Sequence, residues 1–240
     1  MKPYNNLQGS KKKQIEKMFD SISLEYDQLN RVISAGNDTK WRKKIFLLAN
    51  KLNPKNILDI ATGTADIALE LSKIKNSKII GLDISEKMLE VGRKKIELKK
   101  LKERITLISG DAENLKFNDN SFDLVTIGFG VRNFQNLEKG LKESFRVLNS
   151  DGSLIILETS VPENKFIKFF YLMFSRTFIP LIGSLFSKDN KAYNYLQKSA
   201  ENFPSGKSFV EILEKCGFKN VEILPQMFGA SSLYVAKKKA

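Results

Sequence analysis

The residues best suited to chemistry cluster around one turn. Asp59 interrupts the apolar run Ile57, Leu58 and Ile60, where a charge is costly unless partners surround it. Small residues follow from Ala61 to Ala65, with Gly63 and Thr64 among them. Asp83 comes roughly twenty residues after Gly63, the separation at which a second strand brings a carboxylate to a ribose. A lone glycine turn is often only a tight turn, but turn and carboxylate together read as an adenosine-type site. A pyrophosphate would require G-x-G-x-x-G, so that backbone can approach it closely. Here Ala61 takes the first position and only Gly63 is glycine. The pattern therefore favours S-adenosyl-L-methionine, with Asp59, Gly63 and Asp83 as candidate contacts. Its carboxylate suits the N-terminus of the following helix.

These residues need a scaffold, and the alternation of elements supplies one. A strand over Asn56–Ile60 is followed by a helix carrying Ile67, Ala68, Leu69 and Leu71. Lys78–Asp83 forms the next strand, and Ser85 caps a helix running to about Lys102. Strands follow at Ile105–Ile108, Phe122–Gly128 and Ser153–Leu157, with a helix over Leu137–Leu148 before the last. Such alternation predicts an α/β fold, a Rossmann-like, doubly wound, mostly parallel sheet. Ligands of such sheets lie over the C-terminal strand ends, where Asp111, Ala112, Gly128 and the loop Phe129–Asn133 converge with the turn. Asp123, early in its strand, reads as structural. A helix over Ser208–Gly217 precedes strands at Val221–Leu224 and Ser232–Ala236. Those two are expected to close a seven-stranded sheet as a C-terminal antiparallel hairpin, as in class I methyltransferases.

The 240 residues suit one large domain. Residues 1–14 read as a frayed polar tail and residues 15–240 as the domain, with a helical cap at 15–52. The net charge of +13 suits nucleic acid or an anionic membrane, or reflects a Lys-rich composition. The single cysteine, Cys216, excludes an internal disulfide, fits a reducing cytoplasm and lies on an apolar helix face. With no histidine the usual metal ligand and general base are absent, and no metal is expected. No apolar run reaches the roughly 18 residues of a membrane span.

The alternation breaks in a Phe-rich helical insert, 162–207. Phe166, Phe169, Phe170, Phe174, Phe178 and Phe186 crowd together with Ile179, Leu181, Ile182 and Leu185. Lys165, Lys168, Arg176 and Lys188 punctuate them. Three readings compete: a core-covering insert, an apolar substrate tunnel, and a membrane-surface face with snorkelling cations.

Several stretches resemble one family, the quinone C-methyltransferases of menaquinone and ubiquinone synthesis (the UbiE/MenG type). Tyr26-Asp27-Gln28-Leu29-Asn30, Ile33-Ser34 and Trp41 are similar to its N-terminal signature, with Leu29 in place of Met and Asp38 in place of His. Phe129-Gly130-Val131-Arg132-Asn133 matches its F-G-x-R-N loop. Arg146 to Ser160, including Glu158, resembles its second signature, with Asn149, Ser150 and Asp151 replacing K-P-G. Ile182-Gly183-Ser184, Tyr193, Tyr195-Leu196 and Phe203-Pro204-Ser205 are similar as well. The resemblance spans about residues 15–237.

The resemblance implies methyl transfer from S-adenosyl-L-methionine to a ring carbon of a reduced polyprenyl quinone. The cofactor contacts it implies are Thr64, Asp83, Asp111 and Ala112, with Gly128 where many members carry Ser. Ala65 in the turn resembles members that act on demethylmenaquinol alone, and a benzoquinol precursor is the alternative. Tyr26, Asp27, Arg132 and Asn133 are then expected to flank the quinol ring. Arg132 would stabilise a developing phenolate, or else hold the cap through a salt bridge. Asn133 would orient a hydroxyl, and Asp27 or Tyr26 would take the proton. The tail would need the Phe-rich insert and the inner face of an anionic membrane, and a homodimer is compatible with the sequence. An RNA methyltransferase is the rival reading, but the loop after the fourth strand lacks the proline-containing motif of base N-methylation, so no nucleic acid is expected.

Overall fold

A computed structural model of the chain describes residues 1–4, 8–186 and 189–239. Lys188, and the side chains of Ile179, Leu181, Ile182, Leu185 and Phe186, lie outside the described residues, as do those of the Ile182–Ser184 motif. The element order begins with a helical cap, α1 (Lys11–Ile22), α2 (Tyr26–Ile33) and α3 (Asn37–Leu52). The α/β body follows as β1 (Asn56–Ile60), α4 (Asp66–Leu71), β2 (Lys78–Asp83), α5 (Glu86–Leu98), β3 (Ile105–Ser109), β4 (Phe122–Gly128), α6 (Leu137–Val147) and β5 (Leu148–Thr159). After it come α7 (Lys165–Phe186), α8 (Asn190–Asn202), α9 (Lys207–Lys215), β6 (Lys219–Gln226) and β7 (Ser231–Lys237).

Among the described residues, seven strands form one sheet in the order β3-β2-β1-β4-β5-β7-β6. β1 to β5 pair in parallel, and β7 lies antiparallel between β5 and β6. The strand order reverses between β1 and β4, so a crevice opens above their C-terminal ends. Alternate side chains build the two faces. Leu58, Ile60, Val125, Ile127 and Ile156 pack with Leu141, Phe209 and Phe218. Ile57, Leu124, Ile155 and Leu157 pack with Ile45, Ala68, Leu71 and Leu89 on the other side.

The observed elements differ from the expected ones at ends and turns. α5 stops at Leu98 because Lys100 turns left-handed (φ 56°). β5 begins at Leu148, five residues early, because a bulge absorbs Asn149 to Gly152, with Asp151 at φ 64°. The segment expected to fray is partly ordered. Ser10 caps α1 by accepting from Lys13 N, and Tyr4 N donates to Gln14 Oε1 at 3.0 Å. The cap and the insert also share a core: Met18, Ile22 and Leu29 pack with Tyr193 and Tyr195 of α8 and with Met88 of α5. Both therefore lie over the same strand ends.

Candidate active site

The turn after β1 is held from within. Asp59 is fully buried; Thr62 Oγ1 donates to its Oδ2 and Thr126 Oγ1 to its Oδ1, each at 2.6 Å. Burial pushes its carboxyl up to about 6, with the two hydroxyls pulling the other way. Ala61, Gly63 and Ala65 all take left-handed conformations (φ 54°, 54° and 67°), which favours small residues there. A Cβ added at Gly63 would meet nothing within 4 Å, so the turn presents open backbone to the crevice. Gly63 N donates to Asp83 Oδ2 at 2.8 Å and Ser85 N to Oδ1 at 2.9 Å. Burial pushes the Asp83 carboxyl up to about 6 against those two donors.

Three hollows meet here. The first, about 680 Å³, runs along Gly63, Asp83, Ile84, Asp111, Ala112, Gly128 and Asn133. The second, about 560 Å³, carries charges of both signs: Asp27, Asp38 and Asp66 with Arg42, beside Gly63 and Thr64. The third, about 1160 Å³, is largely apolar and aromatic, lined by Trp41, Tyr171, Phe174, Tyr193 and Leu196, with Arg132 and Ser231 in its wall. Tyr26 and Phe129 border all three. Phe129 is itself left-handed (φ 54°), an uncommon conformation for an aromatic residue and one that tends to gather at functional sites. Its ring meets Trp41 at 5.8 Å between centroids.

This layout suits a donor with an adenosine end and a zwitterionic end, and an acceptor that is large and greasy. The model of the ubiE/COQ5 methyltransferase family matches residues 7–238. The chain belongs to that family. A demethylmenaquinone methyltransferase of Bacteroides fragilis is 42% identical over 239 residues, covering 99% of this chain and 97% of the relative. One of Thermotoga maritima is 41% identical over 229 residues, covering 95% and 97%. A solved S-adenosylmethionine-dependent methyltransferase fold from Methanococcus maripaludis, described as putative, superposes with a TM-score of 0.63 at 21% identity, covering 99% of this chain and 97% of that one.

Within this methyltransferase the expected residues separate into distinct groups. Gly63, Asp83, Asp111, Ala112 and Gly128 all line the first hollow. Thr64 borders the second, where its hydroxyl donates to Asp27 at 2.6 Å and accepts from Lys95 Nζ at 3.0 Å. An added Cβ at Gly128 would run into Ile67 Cδ1, so a Ser there requires Ile67 to rotate. Asp59, expected among the contacts, lies behind the turn and not on a hollow: both its oxygens accept from hydroxyls inside the fold, which braces the turn.

Of the four residues expected at the quinol ring, two border the apolar cavity. Tyr26 does, and burial raises its hydroxyl pKa. Arg132 does as well, and its ion pair is with Glu158 of β5, not with the cap. Nη1 reaches Glu158 Oε1 at 2.6 Å and Phe129 O at 2.8 Å. Burial works against the guanidinium charge, but Glu158 outweighs it and leaves the Arg132 pKa raised. Arg132 Nε is buried with no hydrogen-bond partner among the described residues. Asp27 and Asn133 are placed elsewhere. Asp27 faces the charged hollow, paired with Lys95 at 2.5 Å. Asn133 lines the first hollow, accepting from Tyr195 Oη at 3.2 Å and donating to Phe129 O at 3.3 Å.

The structure adds residues that sequence reasoning missed. Lys12 pairs with Asp111 at 2.5 Å over the first hollow. Lys11 donates to the carbonyls of Arg132 (3.1 Å) and Phe134 (2.6 Å). Lys95 joins Asp27, Asp66 and Thr64. No signal marks these lysines in so lysine-rich a chain. Trp41 and Glu158 stand within motifs already noted, and their roles follow only from packing.

Proposed function

We propose that this chain transfers a methyl group from S-adenosyl-L-methionine to demethylmenaquinol, the last step of menaquinone synthesis. The observation that carries the reading is the shared wall: Tyr26 and Phe129 separate a donor crevice from a large aromatic cavity that holds an unpaired Arg132 nitrogen. The names of the relatives support the naphthoquinol over the benzoquinol precursor.

The open backbone at Gly63 and the mixed charges of the second hollow fit the cofactor. Asp83, Asp111 and Ala112 would hold its adenosine end, and the charged hollow beside Thr64 its amino-acid end. When bound it supplies an electrophilic methyl group. The chain's task is then to make a ring carbon nucleophilic. Arg132 Nε would donate to the ring oxygen next to that carbon and stabilise negative charge there as its proton leaves. Glu158 holds the guanidinium in place, and the Phe129 carbonyl fixes its orientation. Tyr26, with its raised pKa, acts as a donor and as part of the wall. Asp27 is committed to Thr64 and Lys95, so the hydroxyl proton passes to water; once the methyl group is on the ring carbon, the hydrogen of that carbon leaves to water as well and the oxygen takes a proton back, one proton being released overall. Alignment of the two reactants contributes the larger share of the rate.

No helix of the described residues is long and apolar enough to cross a membrane. We propose a cytoplasmic protein that meets the inner face of an anionic membrane through α7. Phe166, Phe169, Phe170 and Met173 are exposed there, flanked by Lys165 and Lys168, while Tyr171 and Phe174 of the same helix line the cavity.

The test is label transfer from S-adenosylmethionine to reduced demethylmenaquinone and, separately, to a reduced polyprenyl-methoxybenzoquinone. Label in the first alone is the expected result. Label in both makes the enzyme serve two quinone types. Label in neither, with the cofactor still bound, overturns the proposal and makes RNA the next acceptor to try.

A further inference from the structure

The wall of the largely apolar cavity carries a serine that the chemistry above does not use. Ser231 opens β7 and is 1% exposed. Its Oγ is buried with no hydrogen-bond partner among the described residues, and the residue lines the same cavity as Arg132. Nearby hydroxyls are committed. Thr159 Oγ1 donates to Glu158 at 3.1 Å, and Ser160 pairs with Ser232 at 3.0 Å. Ser231 faces Thr159 across the β5–β7 ladder. Thr159 follows Glu158, the residue that holds Arg132. Unpaired buried polar atoms are rare in folded proteins and call for a partner. Here the two residues that carry them line one largely apolar chamber.

We infer that Ser231 is the second polar contact of the acceptor ring, holding the oxygen para to the one on Arg132. This rests on the quinol reading above. Two fixed oxygens pin the ring in its plane and present one edge to the donor crevice. Ser231 is thus an orienting residue that turns the open ring carbon towards the donor crevice.

Steady-state kinetics with a short-tailed reduced demethylmenaquinone tests this in wild type, Ser231→Ala and Ser231→Thr. Ser231→Ala is expected to raise KM for the quinol about tenfold, the loss of one neutral hydrogen bond. Its S-adenosylmethionine affinity stays at the wild-type value, and its unfolding midpoint is equal or higher, because an unpaired buried hydroxyl has gone. Ser231→Thr keeps the hydroxyl and stays near the wild-type KM. Wild-type kinetics in Ser231→Ala, with the wild type active, would overturn the Ser231 contact alone. An inactive wild type would overturn the quinol reading and this inference with it.

Discussion

Arg132 shows how much a single side chain depends on its neighbours here. Its partner Glu158 is fully buried, so neither charge is tolerable without the other. Replacing Glu158 with Ala should cost about 3–5 kcal/mol of stability by stranding the guanidinium, read as a lower denaturation midpoint. Arg132→Lys keeps the charge but loses the planar fork. It should lower kcat at least tenfold with cofactor affinity unchanged, and unaltered kcat would remove Arg132 from the chemistry. Asp83 makes a pH prediction with two opposite signs. Its carboxyl and that of Asp59 are each raised by burial to about 6 from 3.8. The folded state therefore holds these protons more tightly than the unfolded chain, and their contribution to stability is lost as pH rises from near 4 through 6. Cofactor binding runs the other way, since a protonated Asp83 is a weaker acceptor. Calorimetry should find affinity falling as pH drops below about 6, and Asp83→Asn should flatten that dependence.

At the scale of elements, α1 works as a strap. It pins the Arg132 loop through Lys11 and covers Asp111 with Lys12. The Lys12–Asp111 pair is about one-third exposed on each side, and such pairs contribute about 0–1 kcal/mol. Lys12→Ala should therefore leave the unfolding midpoint nearly unchanged while speeding cofactor release several-fold in stopped-flow measurements. An unchanged release rate would mean that α1 does not guard the crevice. α7 presents different faces to solvent and cavity. Phe166, Phe169 and Phe170 are 72%, 63% and 46% exposed, and burying that exposed part in a bilayer would gain roughly 0.7–2 kcal/mol each. Changing all three to Ser should abolish sedimentation with anionic vesicles at low salt yet spare turnover of a short-tailed quinol. Equal sedimentation of the variant would exclude α7 as the contact.

For the whole molecule, the decisive feature is that cap and insert close over the sheet as one unit. Met18, fully buried, sits in the cluster that joins α1 and α2 to α8. Met18→Ala should cost about 2–5 kcal/mol locally. Limited proteolysis should then cut within the cap and α8 while the sheet stays protected. Uniform resistance would mean that the cluster is not what couples them. The +13 charge acts at this scale too. It bears on association with anionic surfaces, and its effect fades as salt shortens the Debye length.

The sequence by itself determined the parallel body, the antiparallel closure and the donor crevice. Those depend on local rules: apolar runs bounded by turns, a glycine whose backbone stays open to the crevice, and a carboxylate one strand later. The places of Gly63, Asp83 and Ala112 along the first hollow were legible for that reason, and motif resemblance drew attention to Tyr26 and Arg132 beside the third. Tertiary structure alone decided who touches whom across the chain. It turned Asp59 inward onto two threonines and sent Asp27 to Lys95. It paired Arg132 with Glu158, 26 residues away in sequence, and brought Ser231 into the same chamber. Spacing along a chain cannot report such partnerships, because they arise only where separate strand ends, the cap and the insert compete to satisfy buried charge and hydrogen bonds in one place.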